Sequence, residues 1–237
     1  MKILALMATY GRFPELIENG IQSFLDQAHK DKFLLIYDDL GNVKEQSGEN
    51  WAVISTTERA PSLSMKYNIM IELAKKYGDF DAYAVWDDDD LFLKYHLLAS
   101  NQVLENGSLW SKPSLIRSTY QLKDGKLHTE NAAGRFHSSI VVSKELYQKV
   151  QWPDTKKMEY DQLFLANCSK IAKPGDYCEF TRPNYVYCWG LHPKLGYHCS
   201  VVSGENWYDN YKPKYNSPIG VLNPKYTPQV QEILDKN

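Results

Sequence analysis

The sequence predicts an α/β protein built on a mostly parallel sheet flanked by helices. Three observations predict it. Short apolar runs that read as buried strands alternate with stretches whose apolar residues recur at helical spacing. Two of these runs end in carboxylates, Asp38-Asp39 and Asp87-Asp88-Asp89-Asp90. In open α/β sheets ligands sit outside the carboxyl ends of the strands, so these acidic ends are candidate site residues.

The first strand is the apolar run 2–8. Pro14 and Glu15 suit the first turn of the helix that follows, along which Phe13, Leu16, Ile17, Ile21, Phe24 and Leu25 recur at helical spacing. Residues 33–37 and 51–55 are the next strands. Ser62 or Ser64 can cap a second helix with Leu63, Tyr67, Met70, Ile71 and Ala74 inward, and Gly78 can close it. The fourth strand is 82–86. A helix is expected over 93–104, a hairpin over 114–122 and 126–129 around Asp124-Gly125, and a strand over 138–142. Ser143 can cap a helix over 144–150. The stretch 158–170 reads as a helix whose face is Leu163, Ala166 and Ile171, with Phe164 and Asn167 beside it, and 185–189 as a late strand. Beyond Gly190 only 228–236 reads as a helix.

Composition narrows the function. With 43% hydrophobic and 24% charged residues, the 237-residue chain has the make-up of a folded globular protein. A formal net charge of −2 gives no general attraction to nucleic acid or anionic membrane, so a nucleic-acid partner such as DNA gets no help from charge. No run approaches the ~18 apolar residues of a membrane span, and the apolar start stops at Thr9-Tyr10-Gly11-Arg12. Cys168, Cys178, Cys188 and Cys199 match no zinc spacing. They read as reduced thiols, and the expected location is cytoplasmic.

Four adjacent carboxylates between a buried strand and an amphipathic stretch need neutralising. A hard divalent cation with oxygen ligands, Mn²⁺ or Mg²⁺, does so. Glu159-Tyr160-Asp161 adds acid from the second half, while Arg12, Lys66 and Asn68 add cationic and polar groups. Clustered carboxylates, a metal and a few cations suit a ligand that carries a diphosphate, with one unliganded carboxylate left as a base. Asp38 and Asp39 equally suit the start of a turn before Leu40-Gly41-Asn42.

Lys66-Tyr67-Asn68 followed by Trp86-Asp87-Asp88-Asp89-Asp90 resembles the motifs of family 2 glycosyltransferases of the GT-A fold, with Tyr67 where many members have arginine. The segment 8–12, the strand ending in Asp38-Asp39, Glu159-Tyr160-Asp161-Gln162-Leu163, and Tyr187-Cys188-Trp189-Gly190 followed by Tyr197-His198-Cys199-Ser200 are similar to further elements of that family, in order over 1–203. The resemblance implies a Rossmann-like sheet with a smaller mixed region on the acceptor side. It implies that Thr9, Tyr10 and Arg12 belong to the nucleotide site. Asp38 or Asp39 would hold base or ribose, Asp87, with Asp88 beside it, the ribose, and Lys66 the diphosphate, with Asn68 nearby. Asp89 would ligate the metal, His198 would be a second ligand, and Asp161 or Glu159 would be the base.

The expected organisation is one domain over 1–203, with a nucleotide-sugar half, 1–100, and an acceptor half, 101–203. A tail, 204–237, is rich in aromatic residues and proline. The segment 190–215 suits a loop that orders over a bound donor. The expected activity is metal-dependent, inverting transfer of a sugar, hexosyl-like, from a nucleoside diphosphate, a UDP-sugar favoured, to an acceptor hydroxyl. The rivals are a sugar nucleotidyltransferase, disfavoured by the single glycine after the first strand, and a glycan- or nucleotide-sugar-binding protein without catalysis.

Overall fold

The computed structural model describes residues 1–123, 126–132, 135–179, 181–188 and 207–237. The predicted turn at Asp124-Gly125 and the candidate ligand His198 lie outside the described residues.

A seven-stranded sheet forms the centre, in the order β3-β4-β2-β1-β5-β10-β7. Its strands are β1 (Ile3–Thr9), β2 (Lys32–Asp38), β3 (Gln46–Ser47), β4 (Trp51–Ser55), β5 (Ala82–Val85), β7 (Trp110–Ser111) and β10 (Val141–Ser143). The pairs β1·β2, β1·β5 and β2·β4 are parallel, and β3, β10 and β7 pair antiparallel at the flanks. A second sheet runs β6-β11-β8-β9, from β6 (Leu91–Phe92), β8 (Leu115–Lys123), β9 (Lys126–Asn131) and β11 (Tyr185–Tyr187). The expected α/β class and parallel centre are therefore present, with the predicted hairpin as one edge of the second sheet.

Both faces of the central sheet are buried, which is why its strands read as unbroken apolar runs. Leu4 and Leu6 of β1 face one core, with helices α2 (Leu63–Ala74), α4 (Lys144–Lys149) and α5 (Tyr160–Ile171). Ile3, Ala5 and Met7 face the other, with α1 (Pro14–Leu25) and α3 (His96–Glu105). The alternation follows from successive side chains pointing to opposite faces. Ser62 caps α2 by accepting from the Met65 amide at 3.1 Å, and Ser143 caps α4 from the Leu146 amide at 3.2 Å. The tail is docked rather than separate. Ile219 bridges Val43, and α7 (Pro228–Asp235) lays Val230 against Leu91, Val186 and Cys188.

Three expectations need correction. Leu91 and Phe92 pair with β11, so α3 begins only at His96 rather than near 93. Ser138 and Ser139 form a 3₁₀ turn, not a strand, because Ser139 Oγ bonds the Phe136 carbonyl and Ser138 turns to Asp87. The inward face of α5 is Tyr160, Phe164, Leu165 and Cys168, while Leu163 and Ile171 are exposed. Phe164 stacks on Trp152 at 3.8 Å between ring centroids, and this contact sets the rotation of α5.

Trp86 fixes the end of β5. Its indole is fully buried, stacks on Phe92 at 3.8 Å, meets Phe24 edge-on at 5.6 Å, and donates to the Gly20 carbonyl of α1 at 3.0 Å. Gly20 also leaves room for Met7 of β1, since a Cβ there would sit 2.5 Å from Met7 Cε. Trp86→Ala is expected to cost about 3–5 kcal/mol in urea unfolding. A cost below about 1 kcal/mol would show that this anchor is dispensable.

Candidate active site

Immediately beyond Trp86 the chain carries Asp87 to Asp90, whose carboxylates meet three sets of partners. Asp87 is half-buried and accepts from the Tyr67 hydroxyl at 3.2 Å and from Ser138 Oγ. Asp88 and Asp89 are buried and share Arg12, whose Nε lies 3.2 Å from Asp88 Oδ1 and whose Nη2 lies 2.9 Å from Asp89 Oδ2. Asp90 is buried, bonded to the Tyr185 hydroxyl, and accepts from the Cys188 amide at 2.9 Å. Burial pushes Asp88 up to about 6 in spite of Arg12, and neighbouring Asp89 adds to the rise.

Asp87, Asp89 and Asp90 can each offer an oxygen so that all three atoms lie within 4.8 Å of one another. This hard, all-oxygen donor set fits Mn²⁺ or Mg²⁺. Arg12 already engages Asp89, so a cation there would share or displace that ion pair. The expected ligand Asp89 is in the set, and Asp87, expected at the ribose, joins it.

The aspartates line a cavity of about 550 Å³ together with Arg12, Tyr67, His137 and Asp161. Asp161 lies in the first turn of α5, and His137 Nδ1 is 3.3 Å from its Oδ2. The other ring nitrogen meets the Tyr160 hydroxyl at 3.2 Å and stands 4.0 Å from Asp87 Oδ2. His137 thus spans the two acidic groups. Its burial disfavours charge, but the Asp161 hydrogen bond and the Asp87 and Asp161 charges outweigh that and raise its pKa. Burial pushes Asp161 up, yet the His137 hydrogen bond and charge hold it below the ordinary carboxylate range. Phe136, just before, has φ 60°, a left-handed conformation rare for a bulky side chain, and it turns the backbone to present His137. Glu159 is exposed, precedes α5 and does not line the cavity. The structure therefore separates the two candidate bases.

The other expected site residues divide. Lys66 is buried, pairs with Asp39 at 2.5 Å and donates to the Thr9 carbonyl at 2.6 Å. Burial lowers its pKa against the pull of Asp39. Thr9, Tyr10, Asp39, Lys66 and Arg59 line a small adjoining slot. Asp38 is turned away from both spaces. Its carboxylate accepts from the amides of Leu40, Asn42 and Val43 and from Ser55 Oγ, and so shapes the loop after β2. Asn68 is likewise not brought to the site. Its amide bonds the Tyr147 hydroxyl and both backbone groups of Trp152. Two residues along a helix from Lys66 means a turn of about 200°, which points it elsewhere. His137, Tyr67 and Arg59 were not among the expected site residues. A single histidine or arginine in a loop carries no local signal, and Tyr67 reads from sequence as core.

The Asp88 shift has a thermodynamic consequence. A carboxyl whose folded-state pKa lies above its unfolded one binds more protons when folded. It therefore costs stability above the folded value, and the cost disappears as pH falls toward the unfolded value. Asp88→Asn removes this cost. In EDTA the variant is expected to exceed the wild type at pH 7.5 by roughly 1–3 kcal/mol, with the difference closing toward about pH 4. Thermal unfolding across that range checks it, and a difference that does not change with pH would refute the assigned shift.

No model of a known protein family matches the chain, and no curated protein matches it in sequence. Solved structures do match. S. aureus TarS 1-349 in complex with UDP-GlcNAc is similar at a TM-score of 0.60 and 13% identity, covering 90% of this chain and 62% of that one. The same TarS fragment in another crystal structure gives 0.58 and 13%, covering 79% and 60%. The longer TarS structure gives 0.58 and 13%, covering 81% and 37%. This chain spans less than two thirds of each of those chains. At that identity the likeness concerns architecture alone: the chain has a GT-A-like fold.

Proposed function

We propose that the protein is a glycosyltransferase that moves a sugar from a nucleoside diphosphate donor to an acceptor hydroxyl. One observation carries the reading. An acidic cluster able to hold a divalent cation faces an Asp161–His137 pair inside one cavity, at the carboxyl end of a GT-A-like sheet. UDP-GlcNAc bound to S. aureus TarS favours a UDP-sugar as the donor class.

In this reading Asp89, with Asp87 and Asp90, would hold Mn²⁺ or Mg²⁺, which when bound supplies positive charge to the leaving diphosphate. Arg12 and Lys66 add the protein's own positive charge on that side. Asp161 takes the proton from the attacking acceptor hydroxyl. Its depressed pKa keeps it ionised at neutral pH, and His137 orients it. Attack from the Asp161 side, opposite the leaving group, inverts the anomeric centre. Thr9, Tyr10 and Asp39 form the nucleoside end. Asp38 and Asn68 support the surrounding loop and helix rather than the ligand.

The test is nucleoside diphosphate release from a panel of nucleotide sugars with Mn²⁺. Asp89→Asn is expected to abolish cation-dependent donor binding. Asp161→Asn is expected to keep donor binding and lose about 10²–10⁴-fold in turnover, with Glu159→Gln near wild type. The reverse ranking would move the base to Glu159. Small, equal effects, with donor binding intact, would instead support a nucleotide-sugar-binding protein without catalysis.

A further inference from the structure

The nucleoside end of the site is already filled by the protein itself. Residues Trp207–Asn210 form a single helical turn, α6, laid over the ends of β1 and β2. Tyr208 is buried, and its hydroxyl donates to the Ala60 carbonyl at 2.9 Å and lies 3.4 Å from Asp39 Oδ2. The Arg59 guanidinium is held between two rings, 3.9 Å from the centroid of Tyr10 and 4.3 Å from that of Tyr208. Arg59 also donates to the carbonyls of Tyr208 at 2.7 Å and Tyr211 at 3.5 Å. The space left between these groups is about 50 Å³. That is room for a water molecule or two, not for a nucleobase.

A planar ring stacked on a guanidinium, with a donor directed at a carboxylate and a carbonyl, has the chemistry of a bound base. We propose that Tyr208 is an internal occupant of the nucleobase slot, and that α6 must leave it before a nucleoside diphosphate can bind. This rests on the nucleotide-binding reading above. Two features suit a displaceable occupant. The turn is only four residues long, too short to be stable by itself. Docking it also leaves the buried Trp207 Nε1 without a hydrogen-bond partner among the described residues, which offsets part of what burying the Trp207 and Tyr208 rings contributes. The chain beyond is tied down independently, because the amides of Lys214 and Tyr215 both donate to the Gly11 carbonyl at 2.9 Å. The turn can therefore swing out while the rest of the tail stays docked.

An occupied slot weakens apparent affinity by the fraction of molecules in which it is open. The segment 207–211 would thus do the reverse of ordering over the donor. The probe is UDP with Mn²⁺, titrated calorimetrically into the full chain. Tyr208→Ala is expected to bind about tenfold more tightly than wild type, and Tyr208→Phe, which keeps the ring but loses the hydroxyl, by an intermediate factor. In the wild type, UDP is expected to speed chymotryptic cleavage at Trp207, Tyr208 and Tyr211. That readout needs no variant to fold. If the wild type binds UDP while the variants bind equally or more weakly, or UDP slows this cleavage, the slot-occupant proposal is overturned and the nucleotide reading survives. If neither wild type nor variants bind UDP or any other nucleoside diphosphate, the nucleotide reading fails and the proposal with it.

Discussion

The structure depends on burying several carboxylates at the end of one strand. Asp88, Asp89 and Asp90 are all buried just beyond Trp86 and the half-buried Asp87, where desolvation and mutual repulsion both oppose ionisation. One guanidinium serves two of them. Arg12 reaches Asp88 through Nε and Asp89 through Nη2, which a planar fork can do and an ammonium point charge cannot reproduce. Asp90 is held instead by dipoles, the Tyr185 hydroxyl and the Cys188 amide. The compensation is incomplete, as the raised Asp88 pKa records. A site with surplus negative charge in a partly dry cavity is poised to bind a cation.

Much of the scaffold could be read from the sequence, and the reasons are local. The runs ending at Thr9, Asp38 and Val85 are buried on both faces, so each is apolar along its interior and visible as a strand. Ser62 and Ser143 cap helices through their own side chains, which composition alone reveals. The α5 face is rotated from the one its periodicity predicts, centring on Phe164 rather than Leu163, because a distant ring, Trp152, sets its burial. Asp38 shows the limit of a motif. Adjacent aspartates at one strand end do different work, Asp38 closing a loop on backbone amides and Asp39 pairing with Lys66. Only the direction of each side chain separates them, because neighbours on an extended chain point to opposite sides.

The same limit explains His137. Its sequence surroundings carry no motif, and its position depends on long-range events. The second sheet and β10 bring the 3₁₀ turn at 137–139 against the end of β5. The left-handed Phe136 then directs the ring between Asp87 and Asp161, residues 74 positions apart in the chain. Strain at a bulky residue persists only where the surroundings hold it, and here they hold it beside the proposed base.

The loop after β1 links the acidic cluster to the tail. Gly11 has φ 58°, and a Cβ on it would collide with Pro213, so the position needs glycine for both backbone and space. Its side toward the sheet launches Arg12 into the aspartates, and its carbonyl receives two amides of the tail. Tyr10, one residue earlier, stacks on the Arg59 that α6 covers. Three consecutive residues thus tie charge compensation, tail anchoring and the small slot lined by Tyr10 and Arg59 to one turn. Arg12, which meets Asp88 and Asp89, and the amides of Lys214 and Tyr215 are thus held on either side of one glycine. The acidic cluster and the tail, some 120 residues apart in sequence, are mechanically neighbours because the tail returns to the loop that neutralises the cluster.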